Sequence, residues 1–301
     1  MMNCNDFSML LTSFLSKHLP GQRNVSTNTI ISYRDNFRLF IRYCMDVQGI
    51  SLKNLQMQCI DRAMVLKYLG WLEKDRGCSV STRNQRLAAF KSFFHYVSSE
   101  NPEYLFQCQQ IISIPMKKTA SKVMNYLSPE GIHSLLMQPD TTTWKGRRDH
   151  ALLVLLYDAA LRVQELVDLQ IQALRLESPA VVQVVGKGRK ARTIPLGEKT
   201  SRVVGDYIRE LQERTHSTPS SSLFQNSRGS NLTRVGVSEI LNRYIVMMKE
   251  NGCSKYITGS ISPHSLRHSK AIHLLQSGVP LIYIRDFLGH SSVTTTEIYA
   301  K

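Results

Sequence analysis

The chain is 301 residues long, 42% hydrophobic and 20% charged, with a mean hydropathy of −0.20. That is globular composition, long enough for two domains with cores of their own, and it excludes a disordered tail or a disulfide-dense miniature fold. Thirty-eight Lys and Arg against 23 Asp and Glu leave a net charge of +15 and a pI near 9.7. The excess is shared, 16 basic to 8 acidic over residues 1–125 and 22 to 15 over the rest, which points to a polyanionic partner with nucleic acid first.

No run of about 18 apolar residues is present, so no membrane span is expected. The opening MMNCNDFSML lacks a basic n-region and a small-residue cleavage site, so a cytoplasmic protein is expected. Cys4, Cys44, Cys59, Cys78, Cys108 and Cys253 stand singly, as reduced thiols do, with no C-x-x-C pair for zinc.

The first third reads as helices. Phe7, Leu10, Leu11, Phe14 and Leu15 form a helical stripe over residues 5–18, which Pro20-Gly21 should stop. Thr29 to Val47 places Ile30, Tyr33, Phe37, Phe40, Ile41 and Cys44 on one side. Asp61 is an N-cap for Arg62 to Lys74, with Met64, Leu66, Leu69 and Leu72 inward. Ser81 or Thr82 opens a helix through Val97, and a shorter one spans Glu103–Ile111. Together they predict a helical bundle over 1–111. Arg34, Arg38 and Arg42 recur every four positions, and Arg83, Arg86 and Lys91 make a second basic row. Such rows are solvated faces or phosphate contacts. Residues 112–125, with Pro115 and several lysines, lack periodicity and read as a linker whose charge suits a strap along a phosphate backbone.

The rest, 126–301, is mixed. Ser128 and Pro129 are an N-cap and first helical residue. Asp149 opens an apolar helix over Ala151–Tyr157, and another begins near Arg162. Residues 180–196 switch to β-branched alternation around Gly186-Lys187-Gly188, a β-hairpin with a basic tip. Helices are expected at 198–214, 234–250, 265–277, 280–288 and 292–300. The fold class is therefore mainly α with a small β-hairpin or sheet, α+β.

Walker A, G-x-G-x-x-G and G-x-S-x-G patterns are missing, which removes the usual support for ATP, NAD and serine-hydrolase chemistry. His264 and His268 stand at i, i+4, but no Glu lies between them and Arg267 shares a face with His264, which disfavours a dication. A phosphate fits better. Arg162 and Arg267 are guanidinium forks for one phosphodiester, Lys187 on a hairpin tip can reach a leaving group, His264 and His290 can donate or move protons, and Tyr299 can be a nucleophile.

In order along the chain, Arg162-Val163-Gln164-Glu165-Leu166, Val185 to Leu196 around Lys187, Pro263-His264-Ser265-Leu266-Arg267-His268, and Leu288-Gly289-His290 followed by Tyr299 resemble the four boxes of the tyrosine recombinase (phage integrase) family. The likeness is strong over 126–301 and only general over 1–111, where the family carries a helical core-binding domain.

The resemblance implies a catalytic set of Arg162, Lys187, His264, Arg267, His290 and Tyr299, with no metal and no cofactor. Tyr299 would attack a DNA phosphodiester to give a 3′-phosphotyrosyl link. Arg162 and Arg267 would hold the non-bridging oxygens, Lys187 would protonate the 5′-oxygen, His264 would assist proton transfer, and His290 would hydrogen-bond the phosphate. Glu165 would orient the helix carrying Arg162. The partner would be double-stranded DNA, gripped with the helical domain on one face, using Arg34, Arg38, Arg42, Arg83 and Arg86. The protein would be a homo-oligomer, a tetramer on DNA, with a monomer allowed when free.

The expected function is site-specific recombination or integration for a mobile element. The alternatives are Xer-like dimer resolution, a DNA-binding protein with a degenerate site, and a type IB topoisomerase. Two departures stand out. Ala160 occupies a position where the family usually has Gly, a change expected to be tolerated. The chain also stops two residues after Tyr299, where family members continue into a helix that docks on a neighbour, so a truncated chain is expected.

Overall fold

The structure is a computed structural model and describes residues 6–119, 124–186, 191–290, 292 and 296–299. The chain forms two compact units, Met1–Ser121 and Lys122–Lys301. Among the described residues no helix is long and apolar enough to cross a membrane.

The first unit is built from helices α1 (Asp6–Ser13), α2 (Thr27–Asp46), α3 (Arg62–Lys74), α4 (Val80–Glu100) and α5 (Leu105–Ile112). Its core is aromatic. Phe37 lies 5.1 Å from both Phe90 and Phe93, centroid to centroid, and Phe40 lies 5.2 Å edge-on from Tyr68. Edge and tilted contacts of this kind add to the area these rings bury. Ser26 and Asp61 cap α2 and α3, the Asp61 carboxylate accepting from Met64 N at 2.7 Å.

Several expectations fail here for identifiable reasons. Pro20 does not stop the first helix, because the backbone widens into π-helical turns over Phe14–Gln22. The five-residue spacing lets Phe14 and Leu19 both face the core. In α3 the buried stripe is Val65, Tyr68, Leu69 and Leu72, while Leu66 is 37% exposed. Tyr68 decides the rotation, because it buries a large ring and donates to Asn36 Oδ1. Helix α4 starts at Ser79, two residues before Ser81, with Ser79 Oγ accepting from Thr82 N.

Arg83 is not a surface residue. It is 4% exposed, and its Nη1 donates to the Pro115 carbonyl at 3.2 Å and to Asn84 Oδ1 at 3.0 Å. Asn84 in turn grips both backbone polar groups of Lys117, whose ammonium pairs with Glu73 at 2.7 Å. Ile114 is fully buried in the same core. Residues 114–117 therefore belong to the first unit, and the Lys117 charge is engaged by a carboxylate.

The second unit contains α6 (Pro129–Leu136), α7 (Trp144–Asp158), α8 (Val163–Val167), β1 (Leu174–Arg175), β2 (Val181–Val185), β3 (Ala191–Pro195), α9 (Glu198–Thr215), α10 (Arg234–Glu250), α11 (Pro263–Gln276) and α12 (Leu281–Leu288), and a 3-10 turn at Glu297–Tyr299. The expected Ser128 cap is present, accepting from Gly131 N. The three strands form an antiparallel sheet in chain order, and β1 is too short to register as a sequence pattern. The fold is mainly α with a small sheet.

Helix α7 opens at Thr143, not Asp149. Asp149 lies fully buried inside it, accepting from Arg148 at 2.6 Å and from Tyr244 Oη at 2.9 Å. A carboxylate in an apolar run reads as a cap in sequence because its partner Tyr244 is 95 residues away. Of the helix expected over 292–300, the described residues form only the turn Glu297–Tyr299.

Candidate active site

The site is organised by the C-terminal end of α12. The last carbonyls of a helix have no partner within it and carry the negative end of its dipole. Three consecutive ones here each accept from a different guanidinium. The Phe287 carbonyl takes Arg192 Nε at 3.2 Å, the Leu288 carbonyl takes Arg267 Nη2, and the Gly289 carbonyl takes Arg162 Nη2 at 3.1 Å. Gly289 ends the helix in the left-handed region at φ +62°, and a Cβ there would sit 2.9 Å from Arg192 Cδ.

Each arginine has a second anchor. Arg267, on α11 and 3% exposed, also donates to the Ala160 carbonyl at 2.6 Å. Arg162 is the N-cap of α8, and its amide and Nη1 both donate to Glu165 at 2.8 Å. Arg192 meets the same carboxylate with two parallel bonds of 2.8 and 2.9 Å. Its strand register explains the reach: Arg192 pairs with Val184, so it shares the hairpin face that buries Val182, Val184 and Ile194.

Burial would raise the Glu165 carboxyl, but hydrogen bonds and charge from Arg192 and Arg162 prevail and hold it at about 2. Three guanidinia against one carboxylate leave a cationic centre suited to an anion. Burial first, then the Arg162 charge, lowers Arg267 to about 9, so it remains a cation at neutral pH.

The histidines line the same centre. His290, directly after Gly289, holds Thr296 Oγ1 at 3.0 Å through Nδ1. Burial and the charges of Arg267, Arg162 and Arg192 lower it to about 4. His264 is exposed, and burial of part of its ring together with Arg267 and Arg162 lowers its pKa as well. Tyr299 is 9% exposed and packs with Ala160, Ala271, Ile284 and Leu288. Its hydroxyl lies 2.8 Å from His268 Nδ1. Burial raises the Tyr299 pKa, while the Arg267 and Arg162 charges oppose the rise.

Arg162, His264, Arg267, His290 and Tyr299 are thus brought to one centre from four separate stretches of chain. Lys187 lies outside the described residues. Its neighbour Gly186 is against the cluster, where a Cβ would come 3.2 Å from Arg192 Nη1 and 3.3 Å from Glu165 Oε1.

The family model described as phage integrase family matches residues 125–301, and that of the phage integrase N-terminal SAM-like domain matches residues 11–101. The chain belongs to the phage integrase family. It is therefore a tyrosine recombinase, a DNA-breaking and rejoining enzyme. The recombinase is 36% identical over 293 residues to a Sinorhizobium fredii protein carrying the name integrase/recombinase y4rC, covering 97% of this chain and 86% of that one. It is 33% identical to the tyrosine recombinase XerD of Listeria monocytogenes, covering 96% and 93%. The Tn1549 transposon integrase, solved in complex with transposon right end DNA, shares the fold with a TM-score of 0.73 at 18% identity, covering 97% of this chain and 94% of that one.

Two residues of the recombinase site, Arg192 and His268, are not marked by the sequence, and a third, Ala160, has a role that the sequence leaves open. Arg192 looked like one more cation of a basic hairpin, and nothing local marks the one that turns inward. His268 stands in the His-x-x-Arg box without a role of its own, because its partner is 31 residues away. Ala160 adopts φ +46°, which explains why glycine suits this position, and its carbonyl is an anchor for Arg267.

Proposed function

We propose that this recombinase cleaves double-stranded DNA at specific sites through a 3′-phosphotyrosyl intermediate, on behalf of a mobile element. The observation that carries the reading is the pair of consecutive carbonyls, Leu288 and Gly289, which hold Arg267 and Arg162 side by side within electrostatic reach of Tyr299. Two guanidinia fixed in this way grip both non-bridging oxygens of one phosphodiester and stabilise the charge that develops as phosphorus becomes five-coordinate.

In this scheme the Tyr299 oxygen bonds to phosphorus, the bond to the 5′-oxygen breaks, and Lys187 gives that oxygen its proton. His264 assists proton transfer and His290 hydrogen-bonds the phosphate. Glu165 touches no substrate and acts by orienting Arg162. Religation runs the same steps backwards with another 5′-hydroxyl, so the bond energy is conserved without ATP.

The helical unit, which takes in residues 114–117, and the catalytic domain over 126–301 each bind the duplex. Arg38 and Arg42, both exposed, supply phosphate contacts in the first. The protein works in the cytoplasm, where its DNA is, and assembles as a tetramer on its site. The 33% identity to a XerD supports a second reading, resolution of DNA dimers.

The test is a duplex nicked beside the cleavage point, which traps the covalent adduct. Tyr299→Phe abolishes adduct formation while DNA binding stays within about twofold. An adduct in the variant refutes the nucleophile. Adduct formation continues in excess EDTA, since cations of the chain serve as the electrostatic catalyst. Sequencing the trapped DNA separates the two roles, as element ends support integration and a single chromosomal or plasmid site supports dimer resolution.

A further inference from the structure

Tyr299 must lose a proton to become a good nucleophile, and His264, which assists proton transfer in the scheme above, makes no hydrogen bond to its hydroxyl among the described residues, where the partner is His268. Its hydroxyl is buried, which makes the phenolate harder to form in the absence of an acceptor. The hydroxyl is already paired with His268 Nδ1 at 2.8 Å, with the two rings 5.6 Å apart. The other two histidines of the site are engaged differently. His290 Nδ1 is held by Thr296, and His264 presents its ring to His268, 6.0 Å away, and to solvent.

We propose that His268 is the proton acceptor for Tyr299, a further catalytic residue of the cleavage step. The inference rests on Tyr299 being the nucleophile. As Tyr299 Oη bonds to phosphorus, its O–H bond breaks and the proton moves to Nδ1 of a neutral His268 whose Nε2 already carries a hydrogen. The bond from phosphorus to the 5′-oxygen breaks, and that oxygen is protonated separately. On religation the imidazolium returns its proton to the departing Tyr299 oxygen. In cleavage His268 gains one proton as Lys187 gives one to the 5′-oxygen, and religation reverses both transfers.

Placement on α11 makes the division of labour possible. Arg267 and His268 are adjacent, so their side chains leave the helix about 100° apart. One points to the Ala160 and Leu288 carbonyls and the anion centre, and the other to the phenol. Burial, then His264 and Arg267, depress His268 to about 4, which keeps it neutral at pH 7. The groups around it are His264 and Arg267 on its own helix, His290 after α12, and Tyr299. A phosphodiester held by Arg267 offsets that cation at the moment a base is needed, raising the affinity of His268 for a proton.

The experiment is single-turnover adduct formation on the nicked duplex with the full chain, comparing His268→Gln and His268→Ala. Each is made with Tyr299 and with a fluorinated tyrosine at position 299, whose phenol ionises more readily. With tyrosine, both variants are expected to cleave about 100-fold more slowly while binding DNA normally. The fluorinated residue should recover at least tenfold of that loss and should barely change the wild-type rate. His268→Gln cleaving at the wild-type rate overturns the proposal. So does a deficit that is the same with either phenol, because His268 would then only prop the ring. Failure of the unsubstituted protein to form an adduct, or an adduct in Tyr299→Phe, refutes the nucleophile itself and shows without any change at His268.

Discussion

Replacing Glu165 by Gln keeps the shape of the side chain and removes its charge, leaving Arg162, Arg192 and Arg267 clustered without a counter-ion. The carboxyl stands at about 2 in the folded protein against an ordinary 4.5. That gap contributes about 3 kcal/mol at neutral pH, in line with the roughly 3–5 kcal/mol lost when one partner of a buried ion pair is removed. Because the folded-state value is depressed, the contribution is complete above about pH 4.5 and declines as the pH falls through the window down to about 2. The difference between wild type and Glu165→Gln should therefore be about 3 kcal/mol at pH 7 and fall to about 1.4 kcal/mol at pH 3.

Urea unfolding followed by tryptophan fluorescence measures it. The chain has two tryptophans, Trp71 in the first unit and Trp144 in the second, so a Trp71→Phe background reports on the second unit alone. Cleavage of the nicked duplex should drop as well, since Arg162 loses its ion pair with residue 165. A penalty under about 1 kcal/mol, or one that does not change with pH, would refute the argument that this carboxylate is the counter-ion of the site.

Two further outcomes follow from the backbone and the surface. Ala160→Gly should be within about 0.5 kcal/mol of neutral, because relief at φ +46° offsets the lost methyl and the added chain entropy, whereas Ala151→Gly inside α7 should cost about 1–2 kcal/mol; denaturant melts of the two variants compare them directly. Arg38→Ala and Arg42→Ala should each weaken DNA binding and reduce the slope of log affinity against log salt by about 1. Arg83→Gln should leave that slope unchanged and lower stability instead, since its guanidinium is buried on Pro115; titrations at several salt concentrations decide both.

The sequence by itself determined what depends on nearest neighbours along the chain. Helix limits such as Arg62–Lys74 and Arg234–Glu250 were legible because caps and periodicity act within a few residues. The order and residue types of the four boxes were legible because each keeps its reactive groups in one short segment. Tertiary structure alone decided which of the cations meet. The atoms that gather them are main-chain carbonyls at the end of α12, which any residues could supply and no side-chain pattern reveals. It also turned Arg192 inward and Arg83 out of reach of solvent, and it set His268 against Tyr299. Each of those depends on a partner 27 to 32 residues away, beyond the reach of any local period.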